Sequence, residues 1–418
     1  MTNLWVPPGG TPRTLRFPPL SGRLATTTRA QHEGRIVGLL LGAFFVLSTA
    51  HYRLATSFTA EARPSMAALA FGLGGIGSIT VLWKRMGVGQ RVPLGSELML
   101  AFFALSCVVA VLFGDQTSFA IASAGIASFL VLTFSSWRNE IRAGLVLHYA
   151  GYVLAAYVLF LFATLNIRFG STVGFIQPNQ FAKLGLAVMV LGHCGHGKFR
   201  HFSTVLAITA AVVTTSRASI LFLVVFLAFY HWPRGRTNLT TTGIGLCSVA
   251  LLLAAEQALG LGYLAQFGEQ VLLLEDPTQG VGTGFSGRDD HWRAGLAAAW
   301  ENPLGFGYNT RQGIETAGAS TLNAHQGFLN LILDVGVLGL ALFMAAVVVL
   351  LRSTAPHAWG NGSYAVRNSA RSFVFGFLGS MLLDPVYLSV TLPLSALFLC
   401  FLCIGGPSEG REQSHAYA

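Results

Sequence analysis

Apolar residues in this chain gather into runs of helix length, divided by short polar segments. The runs are Ile36–Ala50, Met66–Trp83, Leu98–Phe113, Phe119–Phe134, Ala143–Leu165, Phe181–Leu191, Phe202–Thr215, Ala218–Tyr230, Thr242–Leu261, Phe328–Leu351, Phe373–Leu383 and Leu392–Ile404. Several fall short of the roughly 20 residues that a straight membrane crossing needs. The seventh and eighth read either as two spans or as one re-entrant hairpin. The pattern predicts an all-α integral membrane protein of about twelve transmembrane helices, because runs of this length are helical rather than extended. Composition strengthens that reading. Only 10% of residues are charged, against roughly 25% in soluble chains.

The same pattern divides the chain. Residues 1–35 form a polar tail, 36–261 hold helices 1–9, and 262–324 form one moderate external loop with short helices. Residues 325–404 hold helices 10–12, and 405–418 form a second tail. The first tail carries Arg13, Arg16, Arg23, Arg29 and Arg35. No small-residue cleavage pattern closes the run behind it, so a retained first helix is expected.

Charge then orients the segments. With the N-terminus inside, the external basic residues are Arg53, Arg63, Arg168, Arg217, Arg288, Arg293 and Arg311, and Lys183 lies within a span. All other Lys and Arg fall inside, as the positive-inside bias requires for both termini in the cytoplasm. The net charge of +9 is therefore mostly topological, with contact to anionic lipid, and does not mark a nucleic-acid surface. The long loop lies outside and is acidic, with Glu269, Glu275, Asp276, Asp289, Asp290, Glu301 and Glu315.

Several suggestive motifs carry little. Cys400 and Cys403 form a lone CxxC, whereas zinc needs about four ligands. The glycines between Phe71 and Gly77 lie in an apolar span and suit helix packing. His193 to Cys194, and on through His196 to His201, is rich in metal-ligand types, but Lys198 and Arg200 make it a basic cytoplasmic loop. The Gly305-x-Gly307 pair alone is a weak phosphate-loop signal.

The outer-face candidates are better placed. Arg217 interrupts two apolar runs, where a guanidinium either snorkels from a helix end or grips a phosphate with paired hydrogen bonds. Arg288 opens a segment in which Ser286 or Asp289 can cap a short helix running through Trp292 to Trp300. Arg288 and Trp292, four apart, share a face of that helix. Asn179 and Lys183 sit at the entrance to the sixth run. Lys183 either neutralises a phosphate or snorkels. His325 stands where the polar loop meets the tenth run, with Asn323, Gln326 and Asn330 supplying amides for sugar hydroxyls. If that helix starts near Ala324, Asp334 lies on the side away from His325 and is not its orienting carboxylate.

Taken in order, these features resemble the superfamily of O-antigen ligases and Wzy-type polysaccharide polymerases. The matching stretches are Pro178-Asn179 before a span, Thr215-Ser216-Arg217, Ser286-Gly287-Arg288 with Trp292, Pro303 to Gly307, and His325 followed by Leu329 and the Gly336/Gly339 helix. Gln326 and Asp334 stand where the family more often has Asn and Glu. The resemblance implies a GT-C-like membrane glycosyltransferase of the bacterial inner membrane, with its active site periplasmic. Its donor would be an undecaprenyl-diphosphate-linked glycan, and its acceptor a glycan or lipid A-core. Membrane lipid and other polysaccharide assembly proteins are the further partners implied. No metal or other cofactor is expected. Arg217 and Arg288 would hold the diphosphate, and His325 would deprotonate or position the attacking hydroxyl. Asn179, Lys183, Ser216, Trp292, Asn323, Gln326 and Asn330 would bind substrate. Polymerisation of exopolysaccharide or O-antigen units is the first expectation and ligation to lipid A-core the second. A lipid-linked oligosaccharide transporter is the alternative of another class, but no repeated halves are visible.

Overall fold

A computed structural model describes residues 32, 34–43, 45–46, 94–113, 127, 140–164, 178–195, 197–214, 216–231, 288–307, 326–354, 364–383 and 393–404. The runs Met66–Trp83 and Thr242–Leu261, nearly all of Phe119–Phe134, nearly all of the first tail, the whole second tail and most of the 262–324 loop lie outside the described residues. Among the described residues every regular element is a helix. We label them α1 (Gly34–Ala43), α2 (Leu94–Phe113), α3 (Glu140–Thr164), α4 (Pro178–His193), α5 (Lys198–Val213), α6 (Arg217–His231), α7 (Arg288–Glu301), α8 (Gly327–Ser353), α9 (Tyr364–Met381) and α10 (Pro393–Ile404). Within α2, α3 and α8 lie the 3 candidate spans long and apolar enough to cross a membrane.

Burial distinguishes central helices from peripheral ones. Apolar residues lie buried on every side of α4, from Phe181 to Leu191, and of α10, from Leu394 to Cys403. A helix apolar all round belongs in the middle of a bundle. Cys400 and Cys403 are buried there as thiols, and Ser96 Oγ donates to Cys403 Sγ at 3.5 Å. By contrast α2 leaves Val108, Val111 and Leu112 exposed, as a helix facing lipid does.

Small residues let the backbones approach. A β-carbon on Gly185 would lie 2.8 Å from Ala210 Cβ, and one on Gly192 would meet Ser203, so α4 and α5 run antiparallel. Gly38 and Gly42 meet Tyr149 and Val153, so α1 runs parallel to α3. Phe162 packs on Phe181 and Gly151 on Leu191, which makes α3 antiparallel to α4. Gly95 meets Val349, and a β-carbon on Gly339 would lie 3.5 Å from Phe102, which makes α2 antiparallel to α8. Gly95 also meets Leu402, near the end of α10. These directions alternate between odd- and even-numbered apolar runs, as the sequence pattern requires.

The seventh and eighth runs form two separate helices. α5 leaves the level of Gly192 and climbs past Gly185, and α6 returns until the Tyr230 ring meets that of His193 edge-on, with centroids 4.6 Å apart. Both run the length of α4, which a hairpin dipping part-way does not. The break between them is short. Thr214 Oγ1 donates to Ala210 O at 2.7 Å, closing α5, and Ile220 N–H donates to Ser216 O at 2.9 Å, opening α6.

The longest correction in register concerns α9. The apolar run begins at Phe373, yet the helix begins at Tyr364. Its first turns are polar because Asn368 is buried against the end of α6, where Nδ2 donates to Tyr230 O at 2.6 Å. Carbonyls in the last turn of a helix have no partner within it, and Asn368 supplies one. Aromatic pairs then zip the two helices together, Phe229 on Phe375 at 4.0 Å and Phe222 on Phe373 at 5.9 Å.

Candidate functional site

The α6–α9 pairing decides what meets at one end of the bundle. A β-carbon on Gly376 would lie 3.0 Å from Phe222 O, so the end of α9 reaches the start of α6. One on Gly327 would lie 2.9 Å from Met381 Cβ, so the same end of α9 also reaches the start of α8. Ser216 and Arg217 at the head of α6 are thereby gathered with Gln326 at the head of α8. Through the α4–α5 pairing, Asn179 and Lys183 lie at this end as well.

Three helices, α4, α6 and α8, point their N-termini here. Each carries roughly half a positive charge from aligned peptide dipoles, with N–H groups that have no partner within the helix. Arg217, half-buried, stands in the first turn of α6, where a cation opposes that dipole. Ser216 is buried and its Oγ donates to Ser219 Oγ at 2.9 Å. An anion at this position would meet a guanidinium and helix-terminal N–H groups together. Lys183 is only 8% exposed on the central helix, which is not the disposition of a snorkelling side chain. Asn179 is exposed.

α8 begins at Gly327, later than the start near Ala324 expected from the sequence. The reason is a cap: Gln326 has extended backbone and its side-chain oxygen accepts from Leu329 N–H. Gln326, read as a sugar-binding amide, thus has a structural task at the helix start. Asn330 and Asp334 are buried on the inward face of α8. His325 and Asn323 lie outside the described residues, immediately before this cap.

The first half of α8 carries α7 on its side. Ala298 and Ala299 pack with Leu329 and Leu333 in a small cluster separate from the main core, and Trp292, Phe306 and Ile332 close over it. Arg288 opens α7, within the short helix anticipated from Ser286 or Asp289. Trp292, expected to bind substrate, is half-buried against this cluster.

The sequence reading missed what holds this unit in place. α8 is broken at Gly336, whose φ of 76° and ψ of −178° are essentially reserved for glycine. Residues 303–307 fill the break with main-chain bonds. Phe306 N–H donates to Leu333 O at 2.6 Å and Gly307 N–H to Asp334 O at 2.9 Å, while Val337 N–H donates to Pro303 O at 2.9 Å. The polar groups that the break leaves out of the helical ladder are therefore satisfied by the loop. Gly305, with φ of 88°, lies so close that a β-carbon would sit 2.6 Å from Gly336 N. Asn302 Nδ2 donates to Gly305 O at 2.9 Å and steadies the turn. The Gly305-x-Gly307 pair is thus engaged with a helix break and is not laid out as an open phosphate loop. Its available signal was the coincidence of Pro303, Gly305 and Gly307 with Gly336.

Two of the metal-ligand types at the end of α4 have structural roles, and His196 lies outside the described residues. His193 is buried, with Nδ1 2.8 Å from Met189 O and the ring edge-on to Phe226 and Tyr230. Cys194 is buried and free.

Residues 202–344 match the O-antigen ligase family model. The superfamily resemblance drawn from the ordered motifs is thereby shown over this segment. The O-antigen ligase match takes in α5 after its first turn, the α5–α6 break, α6, α7, the 303–307 loop and α8 through its break. It includes the positions of Arg217, Arg288, Trp292 and His325 and leaves α4, with Asn179 and Lys183, outside. No curated protein matches the chain. The match and the apolar helices together make this a membrane protein with a ligase- or polymerase-type glycosyltransferase role.

Proposed function

We propose that the protein transfers a glycan from an undecaprenyl-diphosphate carrier to an acceptor sugar hydroxyl on the periplasmic face of the inner membrane. The reaction we assign first is polymerisation of exopolysaccharide or O-antigen repeat units. The observation that supports this reading is the meeting of the α6 and α8 heads at the end of α9. It sets Ser216 and Arg217 beside the helix start that His325 precedes.

The chemistry follows from those groups. The leaving group is a lipid-linked diphosphate, and its charge grows as the glycosidic bond breaks. Arg217 and Arg288 bind the diphosphate and stabilise that charge, helped by the helix N-termini. His325 takes the proton from the acceptor hydroxyl as it attacks the anomeric carbon. Asn179, Lys183, Trp292, Asn323 and Asn330 line the path of donor and acceptor. No metal is assigned a step.

Ligation to lipid A-core is the second reading, and the description of the matched family favours it. One experiment separates the two. The purified protein is incubated with lipid-linked repeat units, with and without lipid A-core, and the products are resolved as a ladder. Growth on the lipid carrier alone supports polymerisation. Product only when core is supplied supports ligation, and no glycan transfer in either arm overturns both.

A further inference from the structure

Trp300 is 89% exposed at the last turn of α7. Tryptophan is ordinarily among the more buried residues, so this exposure needs a cause. It is not isolated. Arg293, Leu296 and Trp300 are spaced i, i+3, i+7 and form one outward stripe on the helix. Arg293 is exposed, and Leu296 is 58% exposed. The opposite face, Gly295, Ala298 and Ala299, is the one buried against α8. The stripe continues beyond the helix into Leu304, 52% exposed, and across the break into Val337, 55% exposed.

Two independent measures set the depth of this patch. From Gly336 to Ser353, α8 extends about 27 Å at 1.5 Å per residue, close to the roughly 30 Å of a bilayer's hydrocarbon. The break therefore lies near one edge of the hydrocarbon when the rest of α8 spans it. Separately, a β-carbon on Gly307 would lie 2.6 Å from Ala110 Cα, three residues before the end of α2. α2 holds a candidate span over Leu94–Leu112, so its end reaches the same edge. The loop that follows Trp300 is thus fixed beside the end of the α2 candidate span and at the head of the stretch of α8 that follows the break.

We infer that the outer face of α7 is a lipid-contacting surface, with Trp300, Leu296 and Leu304 set into the boundary between headgroups and acyl chains. Indole suits that boundary because its ring is apolar and its N–H polar. Arg293, one stripe position higher, faces the headgroup phosphates. The surface fastens α7 to the membrane at one end and leaves the Arg288 end beside the first half of α8. It does not depend on which glycan is transferred.

The test uses the full-length protein in vesicles of phosphatidylcholine and phosphatidylglycerol carrying bromine on their acyl chains. Subtracting the fluorescence of Trp300→Phe from that of the wild type isolates the Trp300 component. That component should be lost to bromine placed near the headgroup end of the chain, less so to bromine at mid-chain, and little to aqueous iodide. Iodide quenching without bromine quenching overturns the inference in favour of a water-facing residue. Protection from both overturns it in favour of a protein contact, including a second copy of this chain. Should Trp300→Phe fail to insert, Leu304→Trp in the wild-type background adds an emission component expected to quench in the same order. Absence of bromine quenching there is equally fatal.

Discussion

The two ends of the helix bundle handle charged residues in opposite ways. At one end, where α1, α3, α5 and α9 begin, cations are spread over the surface and lean on aromatic rings. Arg35 lies 5.7 Å from the Tyr149 ring centroid and Arg367 lies 5.3 Å from that of Tyr364. His148 packs edge-on to Tyr152 and Phe199, beside exposed Lys198. Among the described residues there, the backbone is regular helix and short turn. At the other end, Ser216, Lys183, Asn330 and Asp334 are buried, a helix is broken in mid-course, and helix N-termini converge. A surface that only orients a protein in lipid needs charge in quantity, held loosely. An end that handles a charged substrate needs polar groups withdrawn from water and fixed by neighbours, where each interaction is stronger.

The contrast can be broken most severely at the second end. His325→Ala should insert and fold as the wild type does while transfer falls about 10²–10⁴-fold, the usual contribution of a general base. Product-ladder assays on the purified variant measure this, and a wild-type ladder would remove His325 from the chemistry. Next in size, Arg217→Ala and Arg288→Ala should each lower transfer about 10²–10³-fold, the scale for losing one donor to a developing anion. The lysine versions should retain part of the donor binding, because the charge remains while the paired geometry does not. If the alanine and lysine variants all vanish from the membrane, both arginines are structural.

Gly336→Ala tests the frame of that end more than its chemistry. The backbone conformation alone should cost about 1–3 kcal/mol, and the new β-carbon would meet Leu304 C at 2.6 Å. Thermal unfolding in detergent should shift accordingly. An unchanged midpoint would mean that α8 straightens without penalty. The smallest effect belongs to the first end. Arg367→Ala should remove about 0.5–1 kcal/mol of cation–π contact and leave transfer within about twofold, well under the tenfold that 1.4 kcal/mol represents. A loss comparable with that of Arg217→Ala would erase the distinction between the ends.

Much of the frame could be read from residue order because its signals are side-chain signals. The polar interruption at Thr214–Ser216 and the polar start of α7 stand out against apolar runs. The charge asymmetry anticipated the two ends, since Arg35, Arg200, Arg352 and Arg367 are gathered away from Arg217. Reading failed where a polar side chain serves the fold from inside. Asn368 hides the first turns of α9 because its amide looks like loop composition until its partner, Tyr230 O, is known. Gln326 resembled a sugar ligand, but its nearest task is local. The insertion at Gly336 left hardly any trace, because its bonds join main chain to main chain.

That last property bears on how this segment tolerates change over time. Where peptide groups do the holding, Leu304 and Phe306 can be exchanged for other residues without removing a hydrogen bond. The spacing has no such freedom. One residue added between Pro303 and Gly307 would carry Phe306 and Gly307 past Leu333 and Asp334, leaving two carbonyls to find other donors. Drift here should accordingly alter letters and preserve length, and a single-residue deletion should harm the protein more than most substitutions beside it.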